Sequence, residues 1–188
     1  MTAGSPYRPE FEAALRLFAQ MSEEMAATGH SRPVLVGGAA VEYYSQSAIS
    51  TGDFDLCTPW QVQFEAIMQR HGFIRPSGPG MATRGWMHPG LALGFEIVAA
   101  VPMDGSVARD RILLLGDFSS EGGFAIISVE DLIADRMGQY ASGSAPEMIG
   151  QACALLALHP DADLSYLDRR IREESMGDYG IEDIAKSR

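Results

Sequence analysis

The run Val34-Leu35-Val36-Gly37-Gly38-Ala39-Ala40, followed after ten residues by Thr51-Gly52-Asp53-Phe54-Asp55-Leu56, decides how this chain is read. Pro33 opens a short apolar strand, Val34 to Val36, and Gly37-Gly38 predicts a turn. Ala39 to Ser47 has the composition of a helix, and Asp53 to Cys57 that of a second strand. Successive side chains on a strand point to opposite faces. Asp53 and Asp55 therefore share one face, and Phe54 turns into the core. Two carboxylates side by side repel each other unless a cation sits between them. Glycines let a backbone come close to a phosphate at a helix N-terminus. The segment reads as a site for a metal-bound nucleotide.

Glu96 is the third acid of interest. It interrupts the apolar strand predicted over Leu91 to Ala99, where a buried glutamate is costly unless paired or bound to metal. With that strand beside Asp53 and Asp55, the three carboxylates converge and two magnesium ions fit among them. Magnesium takes octahedral oxygen coordination from a few carboxylates, phosphates and waters. Two ions flanking a phosphoryl group suit in-line displacement at phosphorus.

Outward from this centre, Pro9 to Thr28 has apolar residues near helical spacing (Phe11, Leu15, Phe18, Met25) and is stopped by Gly29. Trp60 to His71 reads as a helix, Phe73 to Arg75 as a short strand, and Pro76 to Gly80 as neither helix nor central strand. Thr83 to His88, Arg111 to Leu115 and Phe124 to Ile127 are further strand candidates. After Ser128 the composition turns helical: Ser128-Val129-Glu130-Asp131 is a helix start, and Pro146 to Leu158 and Leu164 to Glu174 are two more helices. The prediction is an α+β fold, a mixed β-sheet flanked by helices over residues 1–127, with a helical C-terminal region over 128–188.

The bulk composition narrows the function. Of 188 residues, 46% are hydrophobic, enough for a sizeable core, and the formal net charge of −11 argues against charge-driven binding to DNA or RNA. Cys57 and Cys153 form no CxxC pair or Cys/His cluster, so buried thiols in a reducing cytoplasm are expected rather than structural zinc. Neither a signal pattern near the N-terminus nor an apolar run of transmembrane length is present, so no membrane association is expected.

Gly37-Gly38, then Asp53-Phe54-Asp55, then Glu96 within Gly94-Phe95-Glu96-Ile97-Val98, resembles the polymerase-β-like nucleotidyltransferase superfamily. Its pattern is a Gly-Gly or Gly-Ser turn, an Asp-x-Asp, and a later acid on a neighbouring strand. The helix at Ser128-Val129-Glu130-Asp131-Leu132-Ile133-Ala134 resembles the one following the sheet in the small bacterial branch, which holds abortive-infection toxin-type enzymes and small aminoglycoside nucleotidyltransferases. The resemblance covers roughly residues 30 to 140. It implies transfer of a nucleoside monophosphate from a nucleoside triphosphate, such as ATP, to an acceptor hydroxyl. Asp53, Asp55 and Glu96 would be the catalytic and metal-binding residues, with Glu96 also a candidate general base. Gly37 and Gly38 would cradle phosphates through their N–H groups, with Thr51 and Arg136 as further nucleotide contacts. Two positions depart from the pattern: Ile49 stands where many relatives carry arginine, and Arg136 where toxin-type relatives have lysine.

Blander alternatives stand beside these. Asp-x-Asp alone is commonly a solvated turn, and Arg136 is equally readable as a surface or helix-pairing residue. Trp86 and His88 read as packing residues or as part of a segment closing over a substrate. The acceptor, whether small molecule, protein or RNA, is expected near the loops after Glu96, including Pro102 to Asp110. Arg169, Arg170 and Arg172, diluted by Asp168, Glu173 and Glu174, predict a solvated helix face. The competing function is a non-catalytic module of the same fold, a regulatory or toxin-antitoxin partner. The helical tail is compatible with a homodimer.

Overall fold

The aromatic residues of the two acid-bearing strands face inward and organise the sheet. The computed structural model describes residues 5–76, 85–91, 93–120 and 122–185. These form two compact units that divide after Ile126.

In the first unit, α1 (Pro9–Ala27) leads to β1 (Val34–Val36), α2 (Gly37–Tyr44), β2 (Asp53–Cys57) and α3 (Gln61–Arg70). Then follow β3 (Trp86–Met87), β4 (Gly94–Ala99), β5 (Ile112–Ser119) and β6 (Gly122–Ile127). The six strands form one mixed sheet in the order β3-β4-β2-β1-β6-β5. β1 pairs antiparallel with β2 and parallel with β6, β2 pairs parallel with β4, and β3 runs antiparallel to β4.

Phe54 and Phe95 are opposite each other in the β2/β4 register, and their rings stack with centroids 4.6 Å apart. Phe11 and Phe18 of α1 close over them at 5.3 and 6.3 Å from Phe54, and Phe18 also meets Phe64 of α3 and Phe124 of β6. All six rings are fully buried. The helix α1 buries Phe11, Ala14, Leu15, Phe18, Met21 and Met25, the i, i+3, i+4 stripe its sequence shows.

Several elements differ from expectation. Gly37 and Gly38 are not a separate turn but the first residues of α2, because the reversal is compressed into Gly37, whose φ is +62°. No strand forms at Phe73 to Arg75; only Ile74 bridges to Met87. Part of the Pro76 to Gly80 segment and of the Thr83 to His88 strand lies outside the described residues. β4 starts at Gly94 rather than Leu91.

The second unit contains α4 (Val129–Ala141), α5 (Met148–Leu158), α6 (Leu164–Glu174) and α7 (Ile181–Ala185). Ser128 caps α4 by accepting from the Asp131 N–H at 3.1 Å. Arg170 corrects the solvated-face reading: only 2% of its side chain is exposed, and it donates to Asp131 at 2.8 Å, Glu173 at 2.6 Å and Glu174 at 2.9 Å. Tyr166 also donates to the Asp131 carboxylate, so the charge is surrounded by partners. Arg169 and Arg172 behave as expected, with exposed side chains in surface ion pairs. No helix among the described residues is long and apolar enough to cross a membrane.

Phe95→Ala is expected to lower the unfolding free energy by about 3–5 kcal/mol, the usual cost of removing a fully buried phenylalanine. Urea denaturation followed by circular dichroism measures it.

Candidate metal centre

The register that stacks Phe54 on Phe95 sets the opposite face. Asp55 is the Cα partner of Glu96, and Asp53 that of Gly94. The carboxylates of Asp53, Asp55 and Glu96 each offer an oxygen, and these oxygens lie within 4.8 Å of one another. Asp53 is exposed, while Asp55 and Glu96 are half-buried. Glu96 thus escapes the full burial that its apolar neighbours suggested, because β4 has one covered face and one open one. An all-carboxylate oxygen set at this spacing suits a hard divalent cation, which relieves the repulsion among the three charges. The residues present therefore fit magnesium.

The glycines are explained by the same geometry. A Cβ on Gly37 would stand 2.0 Å from Asp55 Oδ2, and one on Gly38 would stand 2.4 Å from Thr51 Oγ1. Only the absence of side chains lets the start of α2 pack against the acids. The Gly38 N–H points at Asp55 Oδ2 across a long 3.4 Å bond. Thr51 turns its hydroxyl to the Asp53 carbonyl at 3.2 Å, so it braces the start of β2.

The other predicted residues have these settings. Arg136 lies in α4, with only 7% of its side chain exposed; its Nε and Nη2 donate to Asp135 at 3.1 and 2.6 Å, and Nη1 faces the Met148 sulfur. These contacts lie within α4 and at the start of α5, so Arg136 is a buried residue and not a surface one. Trp86 is buried in β3, and the His88 ring packs on Phe73 at 5.2 Å while accepting from the Gly90 N–H. Both are packing residues here. β2 and β4 run parallel, so the chain toward Pro102 leaves from the Cys57 end of the pair and not from the Asp53 end. The segment predicted to meet the acceptor, Pro102 to Asp110, therefore follows that end, with Pro102–Gly105 forming a short 3-10 turn.

Two residues were missed. Glu42 in α2 is fully buried and binds Arg8, which precedes α1; the guanidinium Nε is 2.6 Å from Glu42 Oε1. The Glu42 hydrogen bonds raise the Arg8 guanidinium above its ordinary value. The signal for Glu42 was one acid within Ala39-Ala40-Val41-Glu42, where helical spacing turns it inward. Arg8, 34 residues away in sequence, had no local signal.

Comparison with solved structures places this architecture. The fold is nucleotidyltransferase-like. The chain superposes on the crystal structure of an antigenic nucleotidyltransferase-like protein from Paracoccidioides brasiliensis with a TM-score of 0.60 at 13% identity, covering 97% of this chain and 94% of that one. No protein-family model matches the sequence, and no curated protein matches it. At that identity the likeness concerns the fold, and the acidic cluster is a property of this chain's own residues.

Gly37→Ala is expected to destabilise the protein by more than about 1 kcal/mol, since it combines a positive φ with a clash against Asp55. Gly52→Ala, whose Cβ would meet nothing within 4 Å, is expected to be neutral or mildly stabilising. Thermal unfolding of the two variants separates the outcomes.

Proposed function

We propose that this protein is a magnesium-dependent nucleotidyltransferase that moves a nucleoside monophosphate from a nucleoside triphosphate such as ATP to an acceptor hydroxyl. The observation that carries this reading is the convergence of the Asp53, Asp55 and Glu96 oxygens within 4.8 Å at the glycine-led start of α2. The acidic set supports one or two divalent ions, and the nucleotidyltransferase-like fold supports a nucleotide as substrate.

Divalent cations, when bound, neutralise phosphate charge and acidify an acceptor hydroxyl. Asp53 and Asp55 would hold such ions from one strand and Glu96 from the next. Glu96 also takes the acceptor proton, since it is half-buried and faces the site from the neighbouring strand. Gly37 and Gly38 would present main-chain N–H groups to the phosphates at the positive end of α2, the Gly38 N–H giving up its long 3.4 Å bond to Asp55. The acceptor oxygen forms a bond to the α-phosphorus, the bond from that phosphorus to the bridging oxygen breaks, and pyrophosphate leaves with that electron pair. A place among the small bacterial enzymes, including those of toxin-antitoxin systems, is part of the same reading, as is a cytoplasmic location.

Incubation with α-labelled nucleoside triphosphates, magnesium and a panel of small-molecule, protein and RNA acceptors tests it. Asp53→Ala and Asp55→Ala are expected to fold and to lose about three orders of magnitude of transfer, because a missing ligand forfeits several kcal/mol of charge stabilisation. Full activity in either variant overturns the assignment.

One observation favours a second reading. The inward engagement of Arg136 leaves a phosphate-binding role for it unsupported, which suits a non-catalytic regulatory or antitoxin-type partner. Calorimetry with ATP and magnesium separates the two readings: absence of heat at millimolar nucleotide favours the second.

A further inference from the structure

Among the described residues the chemistry above leaves two fully buried carboxylates unused, Asp131 in the second unit and Glu42 in α2, and Glu42 lies nine residues before Thr51. Glu42 accepts four hydrogen bonds: from Arg8 Nε at 2.6 Å, Arg8 Nη2 at 3.0 Å, the Ser47 hydroxyl at 2.9 Å and the Thr51 N–H at 2.6 Å. Arg8 Nη2 also donates to the Thr51 carbonyl at 2.7 Å. One residue, Thr51, is therefore held at its N–H by Glu42 and at its C=O by the arginine that Glu42 itself holds. The Ser47 hydroxyl in turn accepts from the Arg8 N–H at 3.1 Å.

The connection between α2 and β2 needs such restraint. Gln46 and Ser47 have φ of 51° and 63°, left-handed conformations that non-glycine residues adopt at a cost. The pair is only partly buried, with Glu42 enclosed and Arg8 reaching solvent, and such a pair adds little net stability over apolar packing. Its use at this position is geometric. Thr51 precedes Asp53 by two residues, donates to the Asp53 carbonyl, and packs against Gly38 too closely for any side chain there. The position of the Thr51 peptide therefore sets the distance between the start of α2 and the acid-bearing strand.

We propose that Glu42 and Arg8 form a clamp on Thr51 that positions Asp53 and Asp55, and so sets the divalent-cation affinity of the Asp53–Asp55–Glu96 site. Both are positioning residues. The inference rests on the metal-site reading above and deepens it: the segment before α1 becomes part of the site's scaffold.

Arg8→Lys tests it, because lysine keeps the charge but lacks the planar fork that reaches Glu42 and the Thr51 carbonyl together. Mn2+ affinity is read by electron paramagnetic resonance of the free ion, without nucleotide or turnover. The wild type is expected to bind Mn2+. Arg8→Lys is expected to bind it about 10- to 100-fold more weakly, the usual loss when a residue orienting metal ligands is changed, while retaining cooperative unfolding. Arg16→Lys, which alters a surface pair with Glu12, is the control and keeps wild-type affinity. A folded Arg8→Lys with unchanged Mn2+ affinity overturns the clamp and leaves the metal site standing. A wild type that binds no Mn2+ overturns the metal-site reading and the clamp with it. Where Arg8→Lys does not fold, Ser47→Ala carries the test: it removes one donor to Glu42, and a smaller loss of affinity supports the clamp, while wild-type affinity overturns it.

Discussion

The stack of Phe54 on Phe95 is the contact on which the rest of the first unit depends. Both rings are fully buried, and they meet in register across the parallel pair β2/β4. Burying two phenylalanine side chains contributes roughly 3–6 kcal/mol, and their stacking about 1 kcal/mol more. Repulsion among the three carboxylates on the opposite face costs about 1 kcal/mol per pair in bulk water and about 4 kcal/mol near a protein surface. The aromatic face sets the register that holds Asp55 against Glu96, and a bound cation relieves the repulsion it creates. A slip of one residue would turn Glu96 into the core and Phe95 out to solvent, so the register has no near competitor.

Close approach is the second constraint. The first turn of α2 packs against Asp55 and Thr51 at distances that exclude a Cβ at both Gly37 and Gly38. The glycines thus bring the N–H groups of a helix start, its positive end, beside a triad of acids. The strained connection through Gln46 and Ser47 then returns the chain to β2 within a few residues, with Glu42 and Arg8 holding it.

In the second unit charge is used differently. Asp131 and Arg170 are buried with Tyr166 and Ser128, each polar group answered by another. Such a network ties α4 to α6 through directional bonds rather than shape alone. The Arg169-Arg170-Arg172 cluster looked uniform in sequence, and the helical period separates it: position 170 turns inward while 169 and 172 stay in water.

Alternation and periodicity in the sequence determined the placement of most elements: the inward Phe54 between two outward aspartates, the α1 stripe, and the Ser128 cap all follow from rules acting over a few residues. The α+β class with a mixed sheet and C-terminal helices was legible for the same reason. What only the tertiary structure decided is which residues distant in the chain meet. Asp55 and Glu96 are brought together by strand pairing, Arg8 reaches Glu42 and Thr51 across a whole helix, and Arg170 finds in Asp131 a partner that draws it inward. Local spacing carries no information about such encounters, because they follow from how buried faces pack, and packing is a property of the folded chain as a whole.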